Sequence, residues 1–341
     1  MITNKPILLT GLTGYIGSHI AAQLLNRGYA VRGTMRNPAK ADKITAAIGA
    51  QAPTDKLTVV RADLTDADSW TEAVAGVEYV LHVASPLMAG IPKDPNELIV
   101  PAREGTLNVL RAATAAGVKR VVITSSMAAV AYGLNASPDA PITEERWSDP
   151  DHPDNTPYVQ SKTYAERAAW DFVANTPGTP ELVTVNPAAV LGPLVGDNPS
   201  ESLLLVSKMM QGEFPGVPKF GFGVVDVRDV ADLHLRALED PAAAGERFLA
   251  SSEYLTMAQV AEVLREGFPA YRKKLPSRKL PNWLLRVVAL FDADTKGVLT
   301  ELNKRRVVTS AKAQRVLGWK PRPAAEAIRT TAADMIERGL I

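Results

Sequence analysis

The stretch Ile7-Leu8-Leu9-Thr10-Gly11-Leu12-Thr13-Gly14-Tyr15-Ile16-Gly17 decides how this chain folds. A short apolar run ends in glycines at every third position, and a helical stripe of Ile16, Ile20, Ala21, Leu24 and Leu25 follows without a break. Each glycine does something different. Gly11 permits a tight turn, Gly14 lets backbone approach a pyrophosphate, and Gly17 lets the helix lie close to the sheet. The helix N-terminus then turns unpaired N–H groups and the positive end of its dipole toward phosphate. Strand, glycine turn and helix in this order imply a dinucleotide site built on Thr10, Gly11, Gly14, Tyr15, Ile16 and Gly17.

The same rhythm continues outward from that stretch. Apolar strand-like runs recur at Ala30-Val31, Leu57–Val60, Tyr79–Val83, Val121–Ile123 and Leu182–Val185, separated by segments with helical spacing such as Leu107, Val109, Leu110 and Ala113. Short buried strands alternating with helices predict an α/β fold, a Rossmann doubly wound parallel sheet covered on both faces. After about residue 190 the chain becomes richer in Pro and Gly and its helices lose regular spacing. Residues 1–190 are therefore expected to form the NADP-binding Rossmann domain, with a strand and helix at 224–252 returning to it. Residues 191–341 are expected to be mainly a smaller, interleaved substrate-binding region.

Composition narrows the classes. Of 341 residues, 46% are hydrophobic and 22% charged, with a net charge of +1 and no cysteine. That balance gives no electrostatic footprint for nucleic acid or an anionic membrane, and it removes disulfides and thiolate chemistry. No run reaches the ~20 apolar residues of a membrane helix, and Met1–Pro6 lacks the pattern of a secretory leader. A soluble, cytoplasmic protein acting on a small molecule, as a monomer or homodimer, is the expectation. Arg305-Arg306 reads as a solvated helix face.

The second strand ends at Thr34-Met35-Arg36, with Lys40 and Lys43 beyond. An enzyme that uses NAD places an acid here for the ribose 2′-hydroxyl, whereas arginine accommodates a 2′-phosphate. NADPH/NADP+ is thus the expected cofactor, with Arg36 and one of the two lysines, Lys40 in preference, at the phosphate. Asp63-Leu64 follows the third strand, where a carboxylate can hold the adenine amino group or cap a helix. The fourth strand exits through His82-Val83-Ala84-Ser85-Pro86, small residues along which a cofactor can lie. His82, without ligand partners in sequence, reads as a hydrogen-bonded core histidine, and no metal site is expected.

Tyr158-Val159-Gln160-Ser161-Lys162 carries the chemistry. Residues four apart share one helix face. A free tyrosine, with a pKa of ~10, is a poor acid–base group near neutrality, and an adjacent ammonium favours its ionised form. A hydroxyl able to bind a substrate carbonyl should come from Thr124-Ser125-Ser126 at the end of the fifth strand. Ser126 is preferred, with Ser125 as competitor.

Taken together, these motifs resemble the extended short-chain dehydrogenases, and within them the dihydroflavonol-reductase-like branch. The resemblance runs nearly end to end, through Val185-Asn186-Pro187, Val190–Pro193, Asp226–Ala231 and Leu317–Pro321. It implies catalysis by Ser126, Tyr158 and Lys162 and a nicotinamide side near Pro187 and Val190, with a cofactor contact from Ser200. It also places the yeast and fungal aldehyde, ketone and methylglyoxal reductases nearest. Two departures argue against lignin- or flavonoid-specific chemistry. Asn155-Thr156-Pro157 precedes the tyrosine where cinnamoyl-CoA reductases carry Asn-Trp-Cys, and Ala128, Ala129 and Ala131 stand where flavonoid reductases favour a polar selector.

The expected substrate wall is apolar: Pro86, Leu87, Met88, Met127, Leu191 and Phe222, with Pro193, Met209, Phe214 and Phe220 near by. It offers no anchor for a strongly anionic substrate. A carbonyl reductase for apolar or aromatic aldehydes, ketones or keto esters is the resulting expectation. A nucleotide-sugar epimerase or dehydratase is the alternative, with a non-catalytic NADPH sensor behind it.

Overall fold

A computed structural model describes the chain apart from residues 1, 87–89, 91, 134–139, 154, 197–199 and 289–298. The chain opens with β1 (Ile7–Thr10), α1 (Tyr15–Asn26), β2 (Val31–Met35), α2 (Ala41–Gly49), β3 (Leu57–Arg61), α3 (Ser69–Val74), β4 (Tyr79–His82), α4 (Asn96–Ala115) and β5 (Arg120–Thr124). It continues with α5 (Pro157–Asn175), β6 (Glu181–Pro187), β7 (Ala189–Leu191), α6 (Glu201–Gln211), β8 (Gly221–Asp226), α7 (Val227–Glu239) and β9 (Arg247–Ala250). Last come β10 (Glu253–Thr256), α8 (Met257–Gly267), α9 (Asn282–Val288), α10 (Ala311–Leu317) and α11 (Ala324–Glu337).

Among the described residues one sheet of seven strands runs in the order β3-β2-β1-β4-β5-β6-β9, every neighbouring pair parallel. The central strands β1 and β5 are apolar almost throughout because helices cover both faces. Strand order reverses at β1, which lies between β2 and β4. Such a reversal opens a crevice at the carboxyl ends of the strands, where ligands of this architecture bind. The expected doubly wound Rossmann sheet is what the chain forms.

A second sheet, β10-β8-β7, stands beyond the carboxyl edge of β6. Here the boundaries differ from expectation. Residues 224–226 belong to β8, which pairs with β7 and β10 rather than with the large sheet. The return is made by α7, whose Arg228 carbonyl accepts from Gln23 of α1 at 2.8 Å, and by β9 beside β6. The C-terminal segment then returns as well: Trp319 Nε1 donates to the Asp229 carbonyl at 2.9 Å, and Ser310 Oγ donates to the Ser251 carbonyl at 2.7 Å. No helix among the described residues is long and apolar enough to cross a membrane.

Candidate active site

At the end of β1 the chain turns through Gly11, whose φ of +73° is a left-handed conformation that favours glycine. A Cβ on Gly11 would stand 2.9 Å from the Ala84 nitrogen, so the exits of β1 and β4 touch through bare backbone. A Cβ on Gly17 would stand 2.1 Å from the Gly11 carbonyl oxygen. The close approach at Gly17 is therefore to the turn itself rather than to the sheet. Helix α1 has Gly14 as its cap, with no side-chain capping bond and no acidic residue in its first turn. Its leading N–H groups are thus left for an outside acceptor.

Thr10 and Tyr15 do not present their side chains to that turn. Thr10 is fully buried, and its Oγ1 accepts from the Val83 and Ala84 N–H groups at 3.0 and 2.9 Å. Both lone pairs being used, its proton goes to His82 Nδ1 at 2.9 Å. Thr10 thus clamps the two strand exits together. His82 is a core histidine as expected, its pKa lowered to about 3 by burial first and by the Lys162 ammonium second. The Tyr15 ring packs in the core against His19, so only its backbone faces the turn.

Arg36 follows β2 directly, is exposed, and hydrogen-bonds to nothing among the described residues. Lys40 is exposed too, at the end of a 3-10 turn that Asn37 caps. Across from them Asp63 accepts from the Thr65 N–H and hydroxyl at 2.9 and 2.8 Å. Those bonds, with Arg36 and Arg61 near, hold its carboxyl below the usual carboxylate range. Leu64 packs against Gly105 of α4, where a Cβ would come within 2.8 Å.

Helix α5 begins with a Thr156 cap and Pro157 in its first turn. Tyr158 is 40% exposed at that end. One turn on, Lys162 holds its Nζ 5.8 Å from the Tyr158 ring centre and donates to Ser85 Oγ at 3.0 Å. One further turn along the same face is Glu166, buried, whose carboxylate gathers hydrogen bonds from several directions. Ser125 Oγ (2.5 Å) and Asn186 Nδ2 (2.7 Å) donate to one oxygen. Arg247 Nε (2.7 Å) and Thr184 Oγ1 (3.0 Å) donate to the other. Sequence reading missed Glu166, although its spacing of four from Lys162 was the signal.

That network separates the two serines. Ser125 spends its proton on Glu166, whereas Ser126 Oγ accepts only the Ala128 N–H, at 3.1 Å, and keeps its own proton to give. Thr124 donates to His234 Nε2 at 2.7 Å, because His234 Nδ1 donates to the Val230 carbonyl. His82, Ser85, Thr106, Ser125, Lys162 and Glu166, with Ala84, Ala102, Ile123 and Ala165, line a cavity of about 20 Å³ behind the lysine, about the room one water molecule takes.

A second cavity, of about 420 Å³, is lined by Met127, Tyr132, Phe220, Phe222, Glu301 and Arg306, among others. Met127 and Phe222 are where the apolar wall was expected. Leu191 is not: it is buried in the main core with Met209, because its place on β7 faces the packed helices rather than the opening. Arg305-Arg306 is no solvated helix face either. Neither residue is helical, and Arg306 lies 4.2 Å over the Tyr132 ring while bonded to Glu301. Those polar residues were invisible in sequence, being some 170 positions apart. Pro86 lies at the β4 exit, and Met88 and Leu87 lie outside the described residues. Pro187 ends β6 beside Ala250, and Val190 pairs with Val225. Ser200 caps α6 by position only, its hydroxyl buried without a partner.

Residues 7–250 match the model of the NAD dependent epimerase/dehydratase family. The chain belongs to that family. Among its relatives is tetraketide alpha-pyrone reductase 2 of Arabidopsis thaliana, 38% identical over 271 residues, which cover 77% of this chain and 83% of the relative. Cinnamoyl-CoA reductase 1 of Petunia hybrida is 38% identical over 274 residues, 79% of either chain. In structure the family member resembles the yeast methylglyoxal/isovaleraldehyde reductase Gre2 complexed with NADPH, with a TM-score of 0.81 and 28% identity, covering 98% of this chain and 100% of that one. The expected resemblance to the dihydroflavonol-reductase-like branch and to the yeast and fungal reductases is borne out. The plant reductases match over about four fifths of the chain and the yeast fold over nearly all of it.

Proposed function

We propose that this chain is an NADPH-dependent carbonyl reductase for apolar or aromatic aldehydes, ketones or keto esters. The observation that carries the reading is one linkage. Lys162 is tied to Ser85 at the exit of β4, and that exit lies backbone-to-backbone against Gly11 of the glycine turn. The tyrosine–lysine pair and the dinucleotide crevice are thereby one site.

The residues present fit a phosphorylated dinucleotide. The turn from Gly11 to Gly17, with the N–H groups of Tyr15 and Ile16, would hold the pyrophosphate, and Arg36 with Lys40 the 2′-phosphate. Asp63 and Leu64 would meet the adenine. Val83, Ala84 and Ser85, with Thr124, would line the middle, and Pro187, Val190 and Ser200 the nicotinamide side. When bound, NADPH supplies hydride to the carbonyl carbon.

The protein supplies the proton. Tyr158 donates its phenolic proton to the carbonyl oxygen as charge builds there, completing the alcohol. Lys162 offsets the negative charge left on the phenol, and its bond to Ser85 holds it in register. Ser126 donates a hydrogen bond to the same carbonyl oxygen, stabilising the developing alkoxide. Glu166 keeps Ser125 turned inward, so that only one of the adjacent hydroxyls faces the substrate.

The test is oxidation of NADPH and NADH with a panel of aromatic and aliphatic aldehydes, ketones and keto esters. NADPH-supported turnover with NADH poor is the expected result. Consumption of neither cofactor with any carbonyl refutes the reading.

A further inference from the structure

The large cavity is not a plain apolar slot. One wall is Met127, Phe220 and Phe222, but the other is Tyr132, Glu301 and Arg306. Tyr132 is half-buried and lines this cavity, and its hydroxyl has no hydrogen-bond partner among the described residues. Met127, next in sequence to Ser126, lines the same cavity. The Tyr132 side of the cavity is thereby joined to the strand exit that carries the proposed carbonyl-binding serine.

The wall is held firmly. Arg306 lies flat over the Tyr132 ring at 4.2 Å, an arrangement that fixes a ring as well as a cation. Glu301 binds one arm of the guanidinium, and among the described residues the fork's remaining N–H groups have no hydrogen-bond partner. Arg305 lies over the Tyr254 ring, 5.6 Å from its centre. Asn303 N–H donates to the Lys219 carbonyl at 3.1 Å, and Ile142 N–H to the Val307 carbonyl at 2.7 Å. The segment from Glu301 to Val308 is thus anchored on both sides of the cavity.

Resting on the reductase reading above, we infer that Tyr132, positioned by Arg306 and Glu301, is a specificity-determining residue that selects carbonyl substrates carrying a second, uncharged oxygen. The phenol and the guanidinium offer donors to an ester or keto oxygen remote from the carbon being reduced. Glu301 makes the arginine electrically neutral as a pair, so a free carboxylate gains nothing from it. The apolar side accepts the rest of the molecule. A buried polar group left without its partner is costly, so a plain alkyl ketone leaves Tyr132 unsatisfied and is disfavoured.

The experiment compares three substrates of similar length, a 3-keto ester, a methyl ketone and a 3-keto acid, in wild type, Tyr132→Phe and Arg306→Met. The expected result is a keto-ester kcat/KM that falls at least tenfold further than that of the ketone in both variants, chiefly through KM, with the keto acid poorest in wild type. Equal losses on ester and ketone, or none, overturn the proposal and assign these residues to structure alone. Calorimetric binding of the 3-hydroxy ester to the NADP+-loaded protein gives a readout that does not depend on turnover. If wild type reduces no carbonyl, the reductase reading fails, while weaker ester binding by Tyr132→Phe still upholds the donor wall and equal binding refutes it.

Discussion

The two cavities of this molecule are built on opposite plans. The small one behind Lys162 lies between the exits of β4 and β5 and helix α5, and its polar groups are paired with one another: Lys162 with Ser85, Ser125 with Glu166. The large one is assembled from segments around Met127, Ser202, Phe220 and Glu301, and among the described residues its Tyr132 hydroxyl has no hydrogen-bond partner. Satisfied buried networks rigidify; unsatisfied donors in a cavity await a ligand. The contrast matches the roles proposed above, positioning for the first region and substrate selection for the second.

The largest effect that would sharpen this contrast is catalytic. Tyr158→Phe should lower kcat by ~10²–10⁴, with KM for substrate little changed, measured in steady state with NADPH. A variant that retains more than a tenth of the rate would remove the phenol from its role as acid.

Next comes stability. Glu166→Leu leaves Arg247 buried without its carboxylate, and breaking a pair of that kind costs about 3–5 kcal/mol. Glu301→Gln, in a part-exposed pair on the open cavity, should cost about 1 kcal/mol or less. Urea unfolding of both variants decides the point, and comparable losses would erase the distinction between the two cavities.

The cofactor end follows. Arg36→Ala should raise KM for NADPH roughly 10–100-fold, the worth of one charge-assisted hydrogen bond, and leave KM for NADH unmoved. A rise for both cofactors alike would dissociate Arg36 from the 2′-phosphate.

A last effect is on pH. Burial lowers the pKa of His82 to about 3 and of His234 to about 4. Both bind protons more weakly when folded than when unfolded, so their contribution is complete above the unfolded value near 6.5 and is lost as pH falls below it. Each should cost roughly 2 kcal/mol by pH 5, seen as a lower urea midpoint than at pH 7. A His82→Gln variant should halve that acid sensitivity; a midpoint indifferent to pH would mean that neither histidine is held neutral.

Much of the first region was legible in the chain because its determinants are local. A turn that needs Gly11 at positive φ, a helix that must start uncapped at Gly14, and a tyrosine four residues before a lysine are each properties of fewer than ten consecutive residues. Glu166 extends the same face by one more turn and was readable on the same principle. The pairing that distinguishes Ser125 from Ser126 was not, since it depends on a carboxylate 41 positions away in the chain. Thr10 and Tyr15 sit in the motif by position, yet their side chains serve the core, a distinction that spacing does not carry.

By itself, then, the sequence determined the alternation of strand and helix, the parallel doubly wound sheet, the glycine turn and the Tyr158–Lys162 face, because steric limits on φ and ψ and helical periodicity act over a few residues. Only the tertiary structure decided that β8 leaves the large sheet for a smaller one, that Leu191 turns into the core, and that Arg306 and Glu301 close over Tyr132. Those outcomes depend on which distant segments the packed sheets bring to one place, and burial there converts ordinary surface residue types into a shaped, partly charged wall.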